Sequence, residues 1–165
     1  MQDEIEKVRH IMEEHAAIIE RSKVVGDEIN DLLALEDLKF LRDSFSSTSE
    51  IVLADKLKEL EQVLSRLNND LRKHYKEEEK LFSGLLGEPL TRGINHYNRQ
   101  IMEDITSLIA VGDNAGLAQI SQQRSPAILM HIFQKISAVR KLVEEHAHRE
   151  DVVLQMLLVG LQERQ

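Results

Sequence analysis

Two histidine–glutamate pairs with the same spacing are the residues of this chain best suited to chemistry. The first is His74-x3-Glu78 and the second is His146-x3-Glu150, 72 residues later. Residues four apart on an α-helix lie on one face, about one turn from each other, so each pair directs an imidazole and a carboxylate to the same side. Two such pairs that face each other inside a helical bundle would form a metal site, which we expect to hold two metal ions.

The composition of the chain predicts one all-α domain and excludes several classes of function. Its 165 residues include only seven Gly and two Pro, and Leu, Glu, Lys, Ile and Ala dominate. A formal net charge of -8 argues against nucleic acid as a partner, because there is no basic stripe to neutralise phosphates. The absence of Cys excludes thiolate nucleophiles and iron–sulfur ligation. No apolar run approaches the ~20 residues of a membrane span, and the acidic first residues do not resemble a signal peptide, so we expect no membrane partner and a cytoplasmic location.

Long helices are the elements that must position these pairs, and apolar residues at helical spacing predict four of them. The predicted ranges are 2–44, 50–86, 89–111 and 126–161, with a short helical stretch over 115–124. Gly26 either is tolerated within the first helix or marks a break in it. Thr48 or Ser49 is the expected N-cap of the second helix. Short connections favour an antiparallel up-down-up-down four-helix bundle, formed as a single domain by residues 1–165.

Helical phase divides the seven histidines into inward and outward sets. The expected inward set, which an axial rise of ~1.5 Å per residue brings to one level of the bundle, is His15, His74, His96 and His146. His96 is the least well placed of these, because it lies off the centre of the apolar face of its helix, and it faces solvent unless that helix is rotated. His10 and His148 share their faces with charged residues and are expected to be exposed. His131 lies roughly 22 Å from His146 along one helix, too far for a shared compact site.

A bound cation is the best explanation for so many inward polar side chains at one level. A lone His-x3-Glu pair is common on helix surfaces, where it contributes a few tenths of a kcal/mol. Several buried imidazoles and carboxylates without compensation would instead cost several kcal/mol each. Imidazole and carboxylate without sulfur suit iron, manganese or zinc. The predicted metal ligands are His15, His74, Glu78, His96, His146 and Glu150.

The order of these ligands along the chain resembles the hemerythrin-like (HHE cation-binding) family. That order is one histidine on the first helix, His-x3-Glu on the second, one histidine on the third and His-x3-Glu on the fourth, and it spans essentially the whole chain. The resemblance implies a non-haem centre of two iron ions, for which zinc or manganese could substitute. It also implies that Glu78 and Glu150 bridge the ions while the four inward histidines are terminal ligands.

The chain departs from the oxygen-carrying hemerythrins on its third and fourth helices. Those proteins have a second histidine four residues after the first on the third helix, where this chain has Gln100. They also use His-x4-Asp on the last helix, which here would select Asp151, but Glu150 lies nearer the inward face and is preferred. An extra coordination position is therefore expected to be open, which weakens the case for simple oxygen carriage. Glu103, Tyr75 and Tyr97 are the candidates for filling it.

Three classes of function stay open from the sequence. The first is a non-enzymatic di-iron protein that binds O2 or NO, or handles iron, in sensing or stress response. The second is a di-metal enzyme of the same architecture that performs oxygen, peroxide or iron–sulfur repair chemistry at the open position. The third is a metal-free helical module that binds a protein partner. The sequence is compatible with a monomer or a homodimer.

Overall fold

Four helices make up the computed structural model, which describes the backbone of residues 2–41, 47–113 and 126–163 and the side chains of 2–35, 52–109 and 129–163. The helices are α1, Gln2–Leu41; α2, Ser47–Leu85; α3, Glu88–Asp113; and α4, Pro126–Gln162. α1 and α3 each pack against both α2 and α4, so consecutive helices are neighbours around a ring. The predicted up-down-up-down four-helix bundle is confirmed. Among the described helices, none combines the length and the apolar character needed to cross a membrane.

The helix boundaries agree with the sequence prediction except at the start of α2, and residues 42–44 of the predicted first helix lie outside the described residues. α1 continues without a break through Gly26, where an added Cβ would lie 3.3 Å from the Arg140 side chain of α4. α2 already begins at Ser47, so the prediction that Thr48 or Ser49 caps it is wrong. A run of Ser and Thr offers several caps of similar quality, and the sequence does not choose among them. The predicted helical stretch 115–124 lies outside the described residues.

A tight turn at Gly87 fixes the register of α3 against α2. Gly87 has a φ of 75°, the left-handed conformation that ends many helices. The Leu86 amide donates to the Phe82 carbonyl at 2.9 Å, and the Thr91 amide donates to the Gly87 carbonyl at 3.2 Å. A residue of α2 and a residue of α3 that are separated from Gly87 by similar numbers of positions therefore lie at similar heights along the bundle axis.

The buried apolar side chains form two separate clusters along the bundle axis. The larger cluster takes residues from all four helices, from Ile18 to Leu32 on α1, Leu53 to Tyr75 on α2, Ile101 to Leu108 on α3 and Leu129 to Val143 on α4. The smaller cluster consists of Ile5, Val8, Ile11, Leu81, Phe82, Leu154 and Leu161. Where the two clusters meet, every helix contributes at least one buried polar side chain. We call the following six residues the polar layer: His15, His74, Glu78, Asn98, Glu150 and the partly buried His146.

Candidate metal centre

Four side chains of the polar layer meet at one point in the interior. They are His15 of α1, His74 and Glu78 of α2, and Glu150 of α4, and none is more than 4% exposed. Each offers one ligand atom, and these atoms all lie within 4.8 Å of one another. The inward orientation predicted for these four residues is therefore what the structure has. The cluster could hold a metal ion, since nitrogen and oxygen atoms converge on it from three helices.

His146 lies at the edge of this cluster, on the side where α3 meets α4. Its side chain is 11% exposed, and its Nε2 lies 2.8 Å from Oε1 of Glu150. The same nitrogen contacts Oδ1 of Asn98 on α3. The ring of Tyr97 stacks on the His146 ring at a centroid distance of 6.4 Å. His146 is thus a member of the site that also touches its outer boundary.

The prediction that His96 faces inward is wrong. His96 is exposed, and Asn98 takes the inward position of α3 instead, with 5% exposure. Asn98 lies four residues after Ile94 and three before Ile101, so it falls on the inward face of the helix, whereas His96 does not. The sequence contains this signal, but an amide side chain is less typical of metal sites than histidine or a carboxylate, so spacing alone did not indicate Asn98.

Several atoms of the polar layer are buried without a hydrogen-bond partner. They are Nε2 of His15, Nε2 of His74, Oε1 of Glu78 and both carboxylate oxygens of Glu150. Buried polar atoms are almost always paired, because an unpaired one retains its full desolvation cost. The gap lined by His15, His74, His146 and Glu150 is narrow, so these side chains lie close together around it. A bare metal ion would satisfy these atoms together.

The outward nitrogen of each fully buried histidine contacts a carboxylate from a neighbouring helix. Nδ1 of His15 lies 2.6 Å from Oδ1 of Asp151, and Nδ1 of His74 lies 3.0 Å from Oε2 of Glu14. A proton on Nδ1 that is donated to the carboxylate leaves the lone pair of Nε2 directed into the cluster. Metal-ligating histidines usually have such an outer partner, which orients the ring. Asp151 thus lies behind His15, and Glu150 is the carboxylate inside the cluster.

The ionisation of the two buried glutamates is coupled in the metal-free protein. Burial raises the pKa of Glu78, and the neighbouring Glu150 raises it further, while the hydrogen bond from Asn98 acts in the opposite direction. Burial also acts to raise the pKa of Glu150, but the imidazoles of His146 and His15 beside its carboxylate outweigh burial and hold that pKa below its ordinary value. Two close carboxylates in a dry environment do not both ionise readily. One proton shared by the pair therefore keeps the layer closer to neutral.

Tyr75 belongs to the larger apolar cluster and lies directly beside the polar layer. Its ring lies 5.5 Å from the His74 ring and 5.8 Å from the His146 ring, measured between centroids. Its hydroxyl is buried without a hydrogen-bond partner. Burial, and then the charges of Glu150 and Glu78, raise the pKa of Tyr75, so the phenol stays protonated. The hydroxyl is a proton donor held close to the site.

A groove of about 440 Å³ between α3 and α4 leads from the surface to the polar layer. Its walls include Leu90, Ile94 and Tyr97, and both His146 and Glu150 reach it. α3 also packs less closely against α4 than the other neighbouring helices pack against each other. The groove falls within the size range of small-molecule sites, about 300–1,000 Å³. A molecule in it would approach the site from the His146 side.

The remaining candidates from the sequence lie outside the cluster. Glu103 and Gln100 are exposed, so Glu103 does not reach the coordination position that the sequence predicts to be open. His10 and His148 are exposed, as predicted. His10 belongs to a separate surface group with Glu14 and Glu77.

Comparisons of this chain with protein-family models, with curated proteins and with solved structures find no match. The resemblance to the hemerythrin-like family therefore rests on the ligand order in the sequence and stays a prediction.

Proposed function

We propose that this protein is a hemerythrin-like, non-haem metal protein that holds two iron ions in its polar layer and binds a small diatomic ligand, O2 or NO. The observation that carries the proposal is the convergence of buried nitrogen and oxygen atoms, several of which complete no hydrogen bond within the protein. His15, His74, His146, Glu78 and Glu150 would hold the ions. Iron bound there would supply a redox-active ion with a coordination position for a small ligand.

The surroundings of the ligands support a metal site rather than a conventional hydrogen-bonded core. A polar network in a core is stable when every member is paired, and a partly paired one is costly. Here the outer nitrogens of His15 and His74 are paired with carboxylates, whereas their inner nitrogens are not. Histidines that bind a metal show this combination, because a carboxylate at the outer nitrogen orients the ring while the inner nitrogen binds the ion.

Metal analysis of the purified protein after iron supplementation tests the proposal. We expect bound iron in the wild type and its loss in Glu78→Ala, because that change removes a buried ligand. Glu79→Ala is the matched control, since Glu79 is adjacent and exposed. His146→Ala should likewise lower the iron content, whereas His148→Ala should not. A wild type with only trace metal, or equal losses in Glu78→Ala and Glu79→Ala, would contradict the proposal.

An enzyme acting on oxygen or peroxide is the second candidate function, and the groove between α3 and α4 favours it. A diatomic ligand does not need a groove of about 440 Å³, whereas a small organic substrate does. The iron-loaded protein can be reduced without oxygen and then exposed to it while the visible spectrum is followed. A stable, reversible band supports a carrier or sensor. Decay of the band with steady consumption of a reductant supports an enzyme.

The cytoplasm is the proposed location of the protein, and cell fractionation can test it.

A further inference from the structure

The oxygens of the two buried glutamates are divided between two sides of the polar layer. Oε1 of Glu78 lies 3.9 Å from Nε2 of His15, and Oε2 of Glu150 lies 3.4 Å from that same nitrogen. On the other side, Oε2 of Glu78 accepts a hydrogen bond of 2.8 Å from the Asn98 amide. Oε1 of Glu150 lies 2.8 Å from Nε2 of His146. Each side therefore has one oxygen from each glutamate.

The other ligands on the two sides are chemically different. The first side has the imidazoles of His15 and His74, whose ring centroids are 4.7 Å apart. The second side has one imidazole, that of His146, together with the side chain of Asn98 in contact with it. Asn98 is 5% exposed, so its amide is committed to the interior. Besides the glutamate oxygens, the first side therefore has two imidazole nitrogens, whereas the second has one imidazole nitrogen and one amide oxygen.

We propose that Asn98 is a metal ligand that completes a second, weaker position through its side-chain oxygen. The inference rests on the proposed metal site and specifies how its two positions differ. The first position combines two imidazoles with two carboxylate oxygens. The second combines one imidazole with three oxygens, and a neutral amide oxygen is a poorer ligand than imidazole for iron, cobalt or zinc. The second ion therefore binds less tightly than the first.

The position of Asn98 also explains why the second ion is the more accessible one. His146 and Glu150 reach the groove between α3 and α4, whereas His15 and His74 do not line it. Asn98 stands on α3, the helix that forms one wall of that groove. An ion held by His146 and Asn98 thus lies on the side from which a small molecule would approach.

Anaerobic titration of the metal-free protein with Co²⁺, in competition with a chelator, tests this assignment. We expect the wild type to bind two equivalents, the second at least about tenfold more weakly. Asn98→Ala should lose the second equivalent and retain the first. Asn98→Asp should keep both, because it preserves the ligand oxygen while it removes the amide donor to Glu78. Asn98→His should tighten the second equivalent. Asn95→Ala, which removes an amide on the surface of the same helix, should match the wild type.

The outcomes separate the ligand role from a structural one. Two equivalents with wild-type affinities in Asn98→Ala would overturn the assignment. So would loss of the second equivalent in Asn98→Asp, because the amide donor would then be the feature that matters. A wild type with one tight equivalent, unchanged in Asn98→Ala, would overturn the second position but leave metal binding itself intact. No Co²⁺ bound by any variant, including the wild type, would contradict the proposed function.

Discussion

Glu78 and Glu150 lie side by side in a dry layer, and their coupled charges make the metal-free protein sensitive to pH. Burial and the adjacent carboxylate raise the pKa of Glu78 from its ordinary value of 4.5 to about 10. The folded protein therefore holds a proton that the unfolded chain releases. By linkage, this group stabilises the fold fully below the unfolded pKa, and that stabilisation is lost as the pH rises through the folded pKa.

We expect the free energy of unfolding of the metal-free protein to fall as the pH is raised from about 5 to about 10, by at most ~1.4 kcal/mol per pH unit for one proton. Glu78→Gln, which mimics the protonated carboxyl, should flatten this dependence. Urea unfolding at several pH values in the presence of a chelator measures it. Glu79→Gln, a change at an exposed neighbour, should keep the wild-type slope. A Glu78→Gln slope as steep as that of the wild type would show that other groups control the effect.

The carboxylates behind the histidines are expected to tune metal affinity without binding metal. Glu14 accepts from Nδ1 of His74 at 3.0 Å, so Glu14→Gln weakens the contact that orients the ring. We expect metal affinity to fall roughly 10–100-fold, with the stoichiometry unchanged. Chelator competition measures the affinity. Glu13→Gln, at an exposed position next along α1, is the control. Complete loss of binding would instead identify Glu14 as a direct ligand.

At the scale of single helices, phase along one helix was predictable from the sequence, but rotation between helices was not. Periodicity alone placed His15, His74, Glu78 and Glu150 inward, because each lies in a stripe of apolar neighbours. On α3 the apolar residues at helical spacing include Leu90 and Tyr97, which are nevertheless 60% and 55% exposed. Asn98 comes two residues after His96 and so lies on nearly the opposite side of α3, on the face that it shares with Ile94 and Ile101. Helical phase therefore indicates Asn98 as the inward polar residue, whereas the exposure of Leu90 and Tyr97 depends on tertiary packing that a single helix does not encode.

The carboxylates that contact the buried histidines could not be predicted from the sequence, for a related reason. Asp151 and Glu14 look like ordinary surface residues in their own helices. Each reaches a histidine on a different helix, Asp151 from α4 to His15 on α1 and Glu14 from α1 to His74 on α2. The contact depends on the relative height of the two helices to within an ångström or two, which no repeat in the sequence fixes.

Two glycines near the start of α3 should respond in opposite directions to alanine. Gly87 has a φ of 75°, where an added Cβ is strained, so Gly87→Ala should lower the free energy of unfolding by about 1–2 kcal/mol. Gly93 lies within the helix, and a Cβ added there would meet no atom within 4 Å, so Gly93→Ala should raise it by about 0.5–1 kcal/mol. Chemical denaturation measures both. A stabilised Gly87→Ala would contradict the role given to the turn.

At the scale of the whole molecule, the polar layer joins parts of the bundle that have separate apolar cores. The smaller cluster has seven buried side chains, whereas the larger one extends along all four helices. Packing of the smaller cluster alone therefore contributes less to the stability of the bundle. A metal ion ligated from α1, α2 and α4 would tie the two parts together, since it bonds to three helices at the level between the clusters.

The division of the core has a consequence for local opening. In the metal-free protein, the end of the bundle around Phe82 and Leu154 should open as a cooperative unit of its own, while the end around Leu60 and Ile136 stays closed. Amide hydrogens of the first end should then exchange with deuterium faster than those of the second, as mass spectrometry can follow. Added Co²⁺ should slow exchange mainly at the first end, and equal rates at both ends would show that the bundle opens only as a whole. In the cell, the same fraying end would be the first segment that a protease meets when metal is scarce, so metal supply would set the lifetime of the protein.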